Sequence, residues 1–194
     1  MPELSVEADP RLWSVVPLES EAEPWLRALL EGRTDEQQAR ILLAADLAVT
    51  AREAAPDSLV LLLCEPVSGL YATLGFLVTE APAFRDAARA EELALTLTPS
   101  PWPPTTTPFT AGAVSGWRVT VLFSDEDAAS DEQTTDGADA SPVTPLGWVR
   151  TTYVLDLDDR LVVGQLSPLA PEAGAVALAL TEQLLPTLEM DHRG

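Results

Sequence analysis

The chain has 194 residues, 46% of them apolar, and sets 31 acidic residues against 11 basic ones, a formal net charge of −20 with an isoelectric point near 4.1. A field of that sign repels phosphate backbones and anionic lipid surfaces, so it argues against nucleic-acid binding and membrane-surface docking and favours a cationic partner, a divalent cation or plain solubility. The single cysteine, Cys64, excludes an intrachain disulfide and a zinc site built on cysteine pairs, and the single histidine, His192, stands near the C-terminus, where it makes a poor catalytic base.

The first element is expected in "RLWSVVPL", where Trp13, Val15 and Val16 suit a strand. In "ESEAEPWLRALLEG" Pro24 follows first-turn acids, Trp25, Leu26, Leu29 and Leu30 fall at helical spacing, and Gly32 is a stop signal, so a helix is expected near 20–31. Thr34 with Gln37 forms a capping box ahead of a long amphipathic helix near 34–54, its core stripe read as Ile41, Leu42, Ala45, Ala48 and Val49.

Beyond Pro56 the texture changes to short apolar runs. "SLVLLLCEP" and "GLYATLGFLVTE" read as two strands joined by a turn at Pro66–Gly69, the first apolar enough to be central in its sheet. A short helix around Phe84–Arg89 is expected next, then a strand at Leu93–Leu97. "PSPWPPTTTP" has five prolines in ten residues and reads as an irregular or polyproline-like connection. In "GAVSGWRVTVLFS" Trp117, Val119, Val121 and Phe123 point one way, and Arg118, Thr120 and Leu122 the other.

Residues 125–142, "DEDAASDEQTTDGADASP", combine low hydrophobicity with high charge and read as a flexible acidic loop inside one domain spanning 1–194. "GWVRTTYVLDL" and "RLVVGQLS" alternate as strands, with Val149, Thr151, Tyr153 and Leu155 on one face and Arg150, Thr152 and Val154 on the other. Between them Asp156, Asp158, Asp159 and Arg160 mark the place where the chain must reverse, and aspartates suit such a connection because their side chains cap free amides. A last apolar helix is expected near 172–189, opened by Pro171 and shortened or kinked by Pro186, with Ala177, Leu180, Leu184 and Leu188 along one stripe.

The switch from helical period to alternation and back predicts an α+β fold with about five to seven mainly antiparallel strands and three principal helices. No GxGxxG, Walker, GxSxG or HExxH pattern occurs, and neither acidic cluster has the glycine of an EF-hand loop. No catalytic, cofactor-binding or metal-binding residue is therefore assigned, and no cofactor is expected. Cys64, at the end of "LVLLLCE", reads as a small buried hydrophobe. Trp13, Trp25, Trp117 and Trp148 read as core residues. Trp102, set in "PSPWPP", has few sequence neighbours to bury it and is a candidate for partner contact, together with Asp125, Glu126, Asp127, Asp131 and Glu132 of the acidic loop.

All 11 basic residues are arginine, which, with the abundance of Ala, Leu, Pro and Asp, suits a GC-rich genome such as an actinobacterial one. The acidic N-terminal stretch lacks a signal-peptide pattern, and no apolar run approaches the roughly 18–20 residues that span a bilayer, so a cytoplasmic location is expected.

The lead strand, helices and strand run, ending in "TTYVLDLDDRLVVGQLSPLAPEAGAVALALTEQLLPTLEM", resemble the small Mog1/PsbP-like proteins, especially the LpqN-like members of actinobacteria. The resemblance implies a curved antiparallel sheet sandwiched by helices and a binding or assembly role without a shared catalytic motif. It assigns no functional residue. The function expected is that of a non-enzymatic adaptor or assembly protein whose partner is another protein. The alternatives are an acidic immunity or inhibitor protein that blocks a cationic toxin or nuclease with a basic surface, and a carrier of small hydrophobic ligands held between sheet and helix.

Overall fold

Helical period gives way to strand alternation at Pro56, and the backbone follows that change. The computed structural model describes residues 3–124 and 147–191. Its elements are β1 (Glu3–Ser5), β2 (Trp13–Val15), α1 (Ala22–Leu30), α2 (Asp35–Ala54), β3 (Leu59–Glu65), β4 (Leu70–Pro82) and α3 (Ala87–Leu97). Then come β5 (Thr105–Ala111), β6 (Val114–Phe123), β7 (Trp148–Leu157), β8 (Arg160–Leu166), α4 (Pro171–Leu184) and β9 (Glu189–Asp191).

Seven strands form one antiparallel sheet in the order β2-β3-β4-β8-β7-β6-β5, and β1 pairs with β9 as a separate ribbon. The fold is α+β, with helices on both faces of the sheet. The capping box at α2 is formed: the Thr34 hydroxyl accepts from the Gln37 amide at 3.3 Å, and the Gln37 side-chain oxygen accepts from the Thr34 amide at 3.1 Å.

Alternation decides what each face carries. From β4, Leu74, Phe76 and Val78 join Tyr153 and Leu155 of β7, Val162 and Leu166 of β8, and Ala177 and Leu184 of α4 in the largest buried cluster. At Gly164 of β8 a Cβ would come within 2.7 Å of the Phe76 ring and 3.4 Å of Tyr153, so this position is a glycine because two aromatic side chains already fill it. The opposite face carries two smaller clusters. Val60 and Leu62 of β3 pack on Ala45 and Ala48 of α2, and Val119, Val121, Val154 and Leu161 pack on Ala90 and Ala94 of α3.

Four expectations need correction. Leu93–Leu97 is the second half of one helix, α3, whose N-cap Asp86 accepts from the Ala88 amide at 3.0 Å; small Ala90 and Ala94, one turn apart, let it lie close on the sheet. Part of the proline-rich connection is strand: β5 contains Pro108 and pairs only with β6, an edge where a missing N–H can face outward. The last α-helix stops at Leu184, a 3₁₀ turn over Leu185–Thr187 carries Pro186, and the chain then enters β9. Leu42 is exposed, while Ile41, Ala45 and Ala48 are buried as expected.

Candidate functional site

Among the described residues the sheet between α2 and α3 is left uncovered, and the space above it is a groove of about 1040 Å³. That volume sits at the upper end of ordinary ligand sites. The strand register lays out its floor. Gly75 of β4 pairs with Gln165 of β8 across the middle of the floor, and Gln165 pairs in turn with Thr152 of β7, which is fully buried beside it. In one direction the next side chains on this face are Leu77 and Val163, a paired and apolar couple. In the other direction lie Thr73 and Tyr71 on β4 and Arg150 and Trp148 on β7, because β4 and β7 run parallel with β8 between them. The floor is thus apolar at one end and polar at the other.

The walls are leucines. Leu43 and Leu47 of α2 are 64% and 61% exposed and overlook the floor from one side; Leu93 and Leu97 of α3 overlook it from the other. Gly75 is the low point of the floor: a Cβ there would meet no atom within 4 Å.

The polar end is unusual in its hydrogen bonding. Tyr71 Oη, Trp148 Nε1, Arg150 Nε and Gln165 Nε2 line the groove, are individually buried from solvent, and have no hydrogen-bond partner among the described residues. Thr152 Oγ1, on the same strand face, is in the same condition. Native structures satisfy the great majority of such atoms, so a cluster of them in one groove calls for an explanation. Arg150 is held in place by two contacts. Its Nη1 donates to Thr98 Oγ1 at 3.2 Å, at the C-cap of α3, and its guanidinium lies 5.5 Å from the centre of the Phe123 ring. Burial pushes its pKa below the usual arginine value, and it makes no ion pair with a carboxylate among the described residues. Burial also raises Tyr71, the largest of its influences.

Trp102, the one predicted contact residue that is described, lies on the connection from α3 to β5 and is 42% exposed. Its segment is tied down through Ser100, whose hydroxyl donates to the Leu122 carbonyl at 2.6 Å and accepts from the Trp102 amide at 3.0 Å. It does not line the groove. Asp125, Glu126, Asp127, Asp131 and Glu132 lie outside the described residues, as does His192. Trp148, read from sequence as core, is half-buried and forms part of the groove. Cys64 is a buried free thiol raised in pKa chiefly by burial, in keeping with a hydrophobe's role. Asp158 and Asp159 form the two-residue turn between β7 and β8, and no three His, Cys, Asp or Glu side chains among the described residues cluster as metal ligands.

Sequence reasoning missed the groove, although two signals pointed to it. Leu43 and Leu47 are apolar yet fall off the buried stripe of α2, and Gly75 interrupts a strand in a way that marks close approach of a ligand or backbone.

No family model matches the chain, and no curated protein matches it. Among solved structures it is similar to that of LpqN, described as involved in cell envelope biogenesis of Mycobacterium tuberculosis, at a TM-score of 0.37 and 11% identity, over 98% of this chain and 84% of that one. No helix among the described residues is long and apolar enough to cross a membrane.

Proposed function

We propose that the protein is a non-catalytic binding protein that carries a small, largely apolar ligand in the groove between α2 and α3. The observation behind this reading is the groove of about 1040 Å³, walled by exposed leucines and floored at Gly75 by open space. Apolar side chains left facing water over such a span are unfavourable unless something covers them. The reading extends the carrier alternative drawn from the sequence, and the helix-flanked sheet ending in a hairpin and helix is what a distant Mog1/PsbP-like relative would have.

The test uses the neutral dye N-phenyl-1-naphthylamine, which brightens in apolar sites. The wild-type protein is expected to bind it in the micromolar range. Gly75→Phe, whose ring enters the open floor without meeting the core behind the sheet, is expected to lose binding while keeping the wild-type melt. Equal binding by both proteins, or none by the wild type, overturns the proposal.

A second reading, contact with a protein partner, draws on Trp102, whose exposed indole sits on a segment fixed by Ser100. The two surfaces are separable: Trp102→Ala is expected to bind the dye as the wild type does.

A further inference from the structure

The unpartnered atoms in the groove are not randomly placed or randomly typed. Trp148 Nε1 and Arg150 Nε can only donate, and they stand two residues apart on one face of β7, at the polar end of the floor. Gln165 Nε2, from the next strand, adds a third unpartnered donor nearer the middle. A bound water could satisfy one of them; a group with several acceptor lone pairs satisfies the set.

The charge around them points the same way. Arg40, the other arginine lining the groove, is already paired with Glu36 at 2.6 Å, whereas among the described residues Arg150 has only the Thr98 hydroxyl and the Phe123 ring. Those two contacts and the nearby C-terminal end of α3 account for where Arg150 sits, but not for its idle Nε. One partly desolvated cation with no counter-charge among the described residues suits a ligand bearing one negative charge. A dianion would bring a second, uncompensated charge into a chain of net charge −20.

We propose that the ligand is a single-chain amphiphile with a carboxylate head, which Arg150 and Trp148 hold while the tail lies over Gly75, Leu77 and Val163. This rests on the groove being the binding site. A carboxylate offers two oxygens, enough to accept from both donors at once, and charge-assisted bonds of this kind are the strong ones. Its tail then runs along the floor toward the apolar end, between Leu47 and Leu93.

The experiment is displacement of N-phenyl-1-naphthylamine at pH 8 and 0.15 M salt by dodecanoate, dodecanol and dodecyl phosphate, which share one chain length and differ in the head. Dodecanoate is expected to displace the dye at about tenfold lower concentration than dodecanol. Arg150→Met keeps an unbranched side chain but loses the guanidinium, and is expected to erase that preference by weakening dodecanoate far more than dodecanol. Trp148→Phe removes only the indole donor from the set and is expected to weaken dodecanoate several-fold; it decides the question if Arg150→Met does not fold. Equal displacement by acid and alcohol, equal weakening of both in Arg150→Met, or tighter binding of dodecyl phosphate than of dodecanoate overturns the proposal and leaves the carrier function standing. Failure of the dye to bind the wild type at all overturns the carrier function itself.

Discussion

Phe76 and Leu77 are neighbours on β4, yet they point into different kinds of space. Phe76 is fully buried against Gly164 and the α4 face, where one glycine is needed to make room; Leu77 is 42% exposed on the floor of the groove, beside a glycine that nothing fills. The two faces have similar strands and similar alternation. What differs among the described residues is the covering helices: α4 lies across the centre of its face, while α2 and α3 each cover one flank and leave the central strands open. A sheet face closed to native density gains the stability of close packing, and a face whose central strands lie open forgoes it.

The largest effect that separates the faces is expected from truncating these neighbours. Phe76→Ala should lose about 3–5 kcal/mol, because the α4 face cannot collapse into the space vacated beside Gly164 and Tyr153. Leu77→Ala should change stability by no more than about 1 kcal/mol, since much of its side chain already faces solvent. Urea unfolding of both variants measures the contrast. Similar losses at both positions would mean that the groove is as tightly packed as the core.

The tyrosines sharpen the comparison. Tyr153, on the closed face, is buried with an unpartnered hydroxyl, and desolvation first, then Glu182, pushes its pKa well above the usual tyrosine value of 10; Glu182 is itself paired with Arg118. Tyr71, on the open face, is raised as well. In the unfolded chain both lose their protons near pH 10, while the folded protein still holds them. The folded state therefore binds more protons there, so stability is complete below pH 10 and falls as pH rises through the folded values. Tyr153→Phe removes a buried hydroxyl that has no hydrogen-bond partner among the described residues, so it should gain about 1 kcal/mol at pH 7 and shrink the alkaline decline. Melts from pH 7 to 11 test this; a loss of stability at pH 7 would mean that the hydroxyl has a partner.

These contrasts also explain how much could be read from the sequence. The α2 capping box, the alternation of β6 and β7 and the turn at Asp158 and Asp159 were legible because each is written within a few consecutive residues. Leu93–Leu97 was misread because "LALTL" alternates like a strand, whereas the decisive feature is how Ala90 and Ala94 fit against Val119 and Val121, residues on a strand not yet formed in the reading. The groove as a whole was hard to read for the same reason, although Leu43, Leu47 and Gly75 each marked a part of it. Its walls are two helices separated in sequence by two strands, and its floor draws on strands from both halves of the chain.

The smallest effect is expected where neither face is involved, at the turn between β7 and β8. Asp158 and Asp159 both have positive φ, 53° and 61°, the conformation of a two-residue hairpin turn of the primed type, and both are exposed. An aspartate held there carries a strain of about 1 kcal/mol that glycine does not. Asp159→Gly relieves it but also gives the unfolded chain about 0.5–1 kcal/mol of extra freedom, so the two terms nearly cancel and a gain of at most about 1 kcal/mol is left. For a chain of this size that is a rise of no more than about 2–4 °C in the melt. The same melts with millimolar calcium separate the turn from a metal site. If the aspartates only shape the turn, calcium shifts neither protein. A shift of several degrees in the wild type that Asp159→Gly loses would make the carboxylates ligands, and would put a function on the hairpin in place of the groove.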